Sequence, residues 1–221
     1  MTEDARPTTE LDHLAIAAHT LEQGLAHVRE ALGVDMPYGG KHPRMGTHNH
    51  LLRLGERVYV EVIAIDPSAP PPSRPRWFQL DDPALQAELR VAPRLITWVV
   101  RTTQIAEVLL ASRRPLGAIE PMTRGDLRWL LTFPNDGTLV DGGMFPAVIQ
   151  WPAGPHPANR LRDLGCTLER FEAQHPDPAS YRSDLASIGA DRHVDITQAA
   201  PGARAALVAH IRTRHGVRVL R

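Results

Sequence analysis

His13 and Glu61 are the two residues whose type and setting could do chemistry at one place. His13 stands in Leu11-Asp12-His13-Leu14-Ala15-Ile16-Ala17, and Glu61 in Val58-Tyr59-Val60-Glu61-Val62-Ile63-Ala64. Both segments alternate as strands do. In the second, Val58, Val60, Val62 and Ala64 share one face, and Tyr59, Glu61 and Ile63 share the other. The aliphatic face must pack on helices, which stabilises by about 1.5–3 kcal/mol per large side chain. Glu61 then lies on the opposite, concave face between two large apolar groups. A carboxylate there is costly to bury unless something pairs with it. The partner could be a metal ion, a protonated His, an Arg such as Arg128, or a substrate. The same parity puts His13 on the matching face of its own strand.

Two kinds of chemistry suit such a pair. One His and one Glu on neighbouring strands can give a divalent ion (zinc, iron, manganese or nickel) two of its ligands. Alternatively, Glu61 acts as a general base with His13 or His48 as the acid. His48, in Gly46-Thr47-His48-Asn49-His50, is the best third ligand. Parity leaves open whether His48, His50 and Leu52 face the cleft, or Thr47, Asn49, Leu51 and Arg53. His42, in a glycine-rich loop before Pro43, joins His48, Asn49 and Tyr59 as a candidate for substrate binding. Gly39-Gly40 lacks the strand–turn–helix context of a phosphate loop.

A second, chemically different strand pair follows: Leu95-Ile96-Thr97-Trp98-Val99-Val100-Arg101 and Ala147-Val148-Ile149-Gln150-Trp151. Aligned with the first pair, Thr97 meets His13 and Gln150 meets Glu61. Both are neutral and are expected to line the cleft against a ligand. A hard cation held there would lack the charge of a second carboxylate. Trp98 reads as a packing residue and Trp151 as core. His156, His175, His193, His210 and His215 carry no spacing signal and read as surface residues.

The elements that position these residues form a repeat. Residues 10–66 read as a βαβββ module. Its helix runs Thr20–Leu32, capped by Thr20 and ended by Gly33. A short strand follows near 34–37, then a hairpin of 47–54 and 57–65 turning at Gly55-Glu56. Residues 66–76 are proline-rich and read as a linker, with a short helix at 83–89. Residues 92–152 repeat the element order more loosely: strand 94–101, helix 103–112, strands 116–120, 127–133 and 147–151. Residues 165–221 supply a strand, a helix ended by Gly189 and three further short strands, a partial third βαβββ-like unit. The expected class is α+β, with paired βαβββ modules forming a cupped sheet.

Composition narrows the function. Lys plus Arg and Asp plus Glu number 25 each, so no bulk field favours nucleic acid or an anionic membrane. No apolar run approaches the roughly 20 residues needed to span a bilayer. The single cysteine, Cys166, cannot form an internal disulfide; it reads as a buried small hydrophobe in a reducing, cytoplasmic setting.

The first strand, the Gly39–His50 segment and the Val58–Ala64 strand resemble the glyoxalase-like domains of the vicinal oxygen chelate superfamily. The stretch Phe145–Trp151 with His156-Pro157 is similar to the same subgroup. The resemblance implies two βαβββ modules around a cleft, with His13 and Glu61 at positions that bind metal in metal-bearing members. It departs from that pattern at Thr97 and Gln150. It further implies a small polar metabolite as ligand, with metal-assisted lyase, isomerase or dioxygenase-type chemistry, or metal-free binding without catalysis. A homodimer is an expectation from the superfamily alone.

Overall fold

A computed structural model describes residues 7–221 of the chain. The first module comprises β1 (Glu10–Ala17), α1 (Leu21–Leu32), β2 (Tyr38–His42), β3 (Thr47–Arg53) and β4 (Tyr59–Ile65). After α2 (Pro83–Val91) come β5 (Arg94–Arg101), α3 (Ile105–Ala111), β6 (Ala118–Arg124), β7 (Leu127–Phe133) and β8 (Ala147–Gln150). All eight strands join one sheet in the order β2-β3-β4-β1-β5-β8-β7-β6. Each module pairs its first and last strands in parallel, β1 with β4 and β5 with β8. The modules meet through the antiparallel pair β1–β5. The sheet curls until its edges β2 and β6 approach each other. Arg44, just beyond β2, donates to Glu120 and to the Pro121 carbonyl on β6, at 2.5 and 2.8 Å.

The alternation along the strands decides what lies inside. Leu14, Ile16, Val60, Val62 and Ala64 point outward into a core shared with Leu21, Val28 and Leu32 of α1. Thr20 caps that helix by accepting from the Gln23 N–H, and Gly33 closes it in the left-handed conformation. Ala17, Ile63, Val99, Leu131 and Ile149 point inward with Trp77, Phe78 and Trp129.

Two stretches differ from the sequence expectation. The strand expected at 34–37 lies instead at Tyr38–His42, so Gly39-Gly40 is strand rather than loop. This edge strand pairs only with β3, and two side chains from elsewhere occupy the space its glycines leave. The proline-rich stretch is no free linker. Asp66 pairs with Lys41, Arg74 with Glu120, and Arg76 with Asp81, so the segment is strapped across both modules. It ends in a 3-10 turn, Trp77–Gln79, whose Phe78 and Gln79 both adopt positive φ, an uncommon and strained conformation for bulky residues.

The C-terminal unit, β9 (Thr167–His175), α4 (Pro178–Ser187), β10 (Asp195–Gln198), β11 (Ala206–Thr213) and β12 (Gly216–Leu220), has the expected βαβββ element order. Its pairing does not repeat that of the modules. It is a separate four-stranded sheet, β10-β9-β11-β12, with β9 parallel to the strand right after the helix. Cys166 lies buried in the shared core, where burial raises its thiol above the ordinary range.

Candidate functional site

Inside the curl lies a small cavity of about 30 Å3. That is room for a water molecule or one small polar group, so any larger ligand must displace a wall. His13, His42, Tyr59, Glu61 and Arg124 supply its polar groups, and Trp77, Phe78, Trp129, Leu131, Ile149 and Trp151 its apolar walls.

His13 is held from behind. A register shift in β1 between Leu11 and His13 interrupts the ladder at Asp12. Asp12 is fully buried. Its Oδ1 lies 2.6 Å from His13 Nδ1, and its Oδ2 lies 2.9 Å from both His156 Nε2 and Trp151 Nε1. Burial alone would raise the Asp12 carboxyl; the hydrogen bonds from His13 and His156 outweigh that and hold it well below the carboxylate range. An ionised carboxylate only accepts, so the donors are His13 Nδ1–H and His156 Nε2–H. The other nitrogen of His156 takes the Ala158 N–H, consistent with that tautomer. The other ring nitrogen, His13 Nε2, faces the cavity 3.8 Å from Glu61 Oε1. That gap is too long for a hydrogen bond. Tyr59 stacks on the His13 ring with centroids 4.6 Å apart. Burial, then Asp12 and Glu61, push the Tyr59 phenol well above its usual value, so it stays protonated.

Glu61 is held from the other side. Asn49 donates to Glu61 Oε2 at 2.7 Å, and Arg124 donates to Asn49 Oδ1 at 3.2 Å. Gly39 and Gly40 make room for this pair. A Cβ on Gly39 would lie 2.3 Å from Asn49 Oδ1, and one on Gly40 would lie 2.9 Å from two carbons of the Arg124 side chain. Arg124 is buried, yet among the described residues no carboxylate lies within ion-pair distance of it. His42 packs edge-on against Trp77 and contacts Thr47 Oγ1 at 3.0 Å. Burial, then Arg124, depress its imidazole well below the usual value, so it is neutral.

The structure thus brings His13, His42, Asn49, Tyr59 and Glu61 together and leaves out three of the sequence candidates. His48 pairs with Ala64 across β3–β4, on the outward face beside α1, so Thr47, Asn49 and Leu51 are the inward set. Thr97 lies opposite Ala15 and does not line the cavity; its nearest hydroxyl contact is the Trp98 carbonyl at 3.5 Å. Gln150 turns away and accepts from the Ile105 N–H at the start of α3.

Register explains the last two. His13 is cross-paired with Tyr59, and Ala15 with Glu61. The corresponding parallel pairs in the second module are Val99–Ala147 and Arg101–Ile149. The counterparts of His13 and Glu61 are therefore Val99 and Ile149, both apolar. The expected ion site consequently gains no further ligand from the second module. Among the described residues no three His, Cys, Asp or Glu groups converge as a metal site. The donor set is two groups with a guanidinium in the same cavity, which does not fit a resident divalent ion.

Five side chains at or behind the site carried no sequence signal as functional: Asp12, Trp77, Trp129, Arg124 and His156. His156 is buried against Asp12 rather than exposed. Arg128, the Arg weighed as a partner for Glu61, is exposed. Trp98 faces the outer core and donates to the Met144 carbonyl. Trp151 is a wall of the cavity.

A curled sheet of two βαβββ modules with a polar group at its centre defines the vicinal oxygen chelate class. The family model for the glyoxalase-like domain matches residues 11–189, and the chain belongs to that family. A hypothetical protein from Staphylococcus aureus is similar in structure over 96% of this chain and 84% of its own, at 14% identity and a TM-score of 0.56. Methylmalonyl-CoA epimerase from Mycobacterium tuberculosis matches 70% of this chain and 94% of its own, at 18% identity and a TM-score of 0.42. A Streptomyces coelicolor methylmalonyl-CoA epimerase variant, solved with 2-nitronate-propionyl-CoA, matches 67% of this chain and 100% of its own, at 16% identity and a TM-score of 0.42. No curated protein matches the sequence. Among the described residues no helix is long and apolar enough to cross a membrane.

Proposed function

We propose that the cavity binds a small metabolite through an anionic group, a carboxylate in the simplest case, and moves a proton on it without a resident metal. The observation that carries this reading is Arg124, a buried guanidinium whose one side-chain partner among the described residues is the neutral Asn49. A buried charge without a counter-charge is costly, and an anionic ligand supplies one. His13 then offers its Nε2 and Glu61 a carboxyl oxygen, 3.8 Å apart. A ligand carbon seated against both can give its proton to the Glu61 carboxylate, the electron pair staying on the ligand as an enolate, and the Glu61 acid so formed can return that proton to the same or a neighbouring ligand atom, which is isomerase-type proton transfer. Tyr59, kept as a phenol, can donate to a developing oxyanion.

The test uses chelator-treated protein with acetate, pyruvate and malonate as probes. Calorimetry should detect binding that Arg124→Met abolishes. Exchange of the carbon-bound protons of bound pyruvate or malonate into deuterium oxide should be faster than in buffer and lost in Glu61→Gln. Binding that appears only after adding zinc, iron, manganese or nickel would overturn the metal-free reading. Binding unchanged in Arg124→Met would overturn the anion site.

A further inference from the structure

The cavity holds about 30 Å3. A ligand of more than a few heavy atoms must extend past its walls, and the sheet is weakest at one place. β7 is seven residues long and β8 only four, and their ladder consists of Leu130 with Gln150 and Leu131 with Ile149. Past Leu130–Gln150 no backbone pairing joins the two chains. The gap is filled by the side chains of Trp129 and Trp151, with ring centroids 5.3 Å apart at 45°. Both rings line the inner cavity, and both also line an open groove of about 320 Å3 outside it, together with Pro121, Met122, Leu130 and Pro152. Trp151 is tied down through Nε1 to Asp12, whereas the Trp129 indole has no hydrogen-bond partner among the described residues.

We infer that Trp129 is the movable leaf of a gate, and that the groove beyond holds the apolar part of the ligand whose anionic group meets Arg124. The ligand class is then an amphiphile, a carboxylate on a hydrocarbon tail. This rests on the anion reading of Arg124. The Trp129 backbone stays paired with Met122 of β6, and only its side chain bridges to β8, so the opening needs no backbone change. The groove walls are mostly apolar and aromatic, with Thr123, Arg128 and Gln150 as the polar exceptions, so they gain by covering a hydrocarbon.

Calorimetry with straight-chain carboxylates of two to ten carbons on the chelator-treated full-length protein tests this. Affinity should rise about fourfold per added methylene through the middle of the series, the value of about 0.8 kcal/mol per buried CH2, and level off once the groove is filled. Thr123 is exposed at the groove rim. Thr123→Glu should flatten the rise. A flat series in the wild type, with acetate binding still dependent on Arg124, would end the groove and gate and leave the anion site standing. A rise that persists in Thr123→Glu or in Arg124→Met would mean that the chains bind elsewhere, and would overturn the inference. No binding at any length would overturn the anion site and the groove with it.

Discussion

His42 is the cavity group whose protonation state burial decides most firmly. It is 3% exposed and its imidazole is depressed well below its usual value, first by burial and then by Arg124, His13 and His48. Above the unfolded-state value of about 6.5, His42 is neutral whether folded or not. Below it, the unfolded chain takes a proton that the folded chain refuses, so stability is lost as the pH falls from about 6.5 toward the folded value. One such proton gives a slope of up to about 1.4 kcal/mol per pH unit. His42→Gln should remove this component: in urea unfolding at pH 7 and pH 5, the variant should lose about 1–2 kcal/mol less than the wild type. Equal losses would mean that His42 titrates freely. Asp12 acts with the same sign at lower pH, since its depressed carboxyl stabilises above about 3.9 and that contribution is lost in acid.

Much of this residue-scale picture could be read from alternation. Glu61 and His13 sit on the concave face because their neighbours Val60, Val62, Leu14 and Ile16 need the other face. What alternation could not supply was anything that depends on long-range register. Arg124 reaches Asn49 across 75 positions of sequence, and His156 reaches Asp12 across 144. Thr97 and Gln150 were placed by aligning strands end to end, and the actual ladders displace that alignment so that Val99 and Ile149 occupy the equivalent points.

At the scale of single elements, the edge strand β2 shapes the site by what it lacks. Gly40 has φ +141° and faces the Arg124 side chain at a distance where a methyl group would collide. Gly40→Ala should therefore push Arg124 off Asn49. The expected result is a loss of about 1–3 kcal/mol in stability from the strained backbone and a drop in acetate affinity of about tenfold or more, read by calorimetry. Gly125, also at positive φ, provides the control, because a Cβ there meets nothing within 4 Å. Gly125→Ala should lower the melting temperature and spare the affinity. Equal affinity losses in both would remove the argument that β2 positions Arg124. In the sequence, Gly39-Gly40 read as a turn because paired glycines usually mark one. Their role as a gap for side chains from β3 and β6 exists only once the sheet has curled.

At the scale of the whole molecule, the two sheets share a core. Phe171 of β9 packs edge-on against Trp98 of β5, with centroids 5.3 Å apart. Tyr181 of α4 and Trp98 both donate to the Met144 carbonyl at 2.7 Å. The Leu95 N–H donates to the Arg221 carbonyl, and the Leu168 N–H to the Leu54 carbonyl. The outer core runs unbroken from Val28 of α1 through Trp98 to Leu207 and Ile211 of β11. The C-terminal sheet therefore covers apolar surface that the eight-stranded sheet could not leave exposed, and the two should unfold as one cooperative unit. All four tryptophans, Trp77, Trp98, Trp129 and Trp151, lie in or against the first sheet. Indole fluorescence consequently follows that sheet, while far-ultraviolet circular dichroism follows both. In urea the two signals should trace one coincident transition. Phe171→Ala, a cavity made in the second sheet, should lower stability by about 3–5 kcal/mol and move both curves to the same new midpoint. A variant in which circular dichroism shifts ahead of fluorescence would show that the C-terminal sheet melts alone, and that the curled sheet keeps its cavity without it.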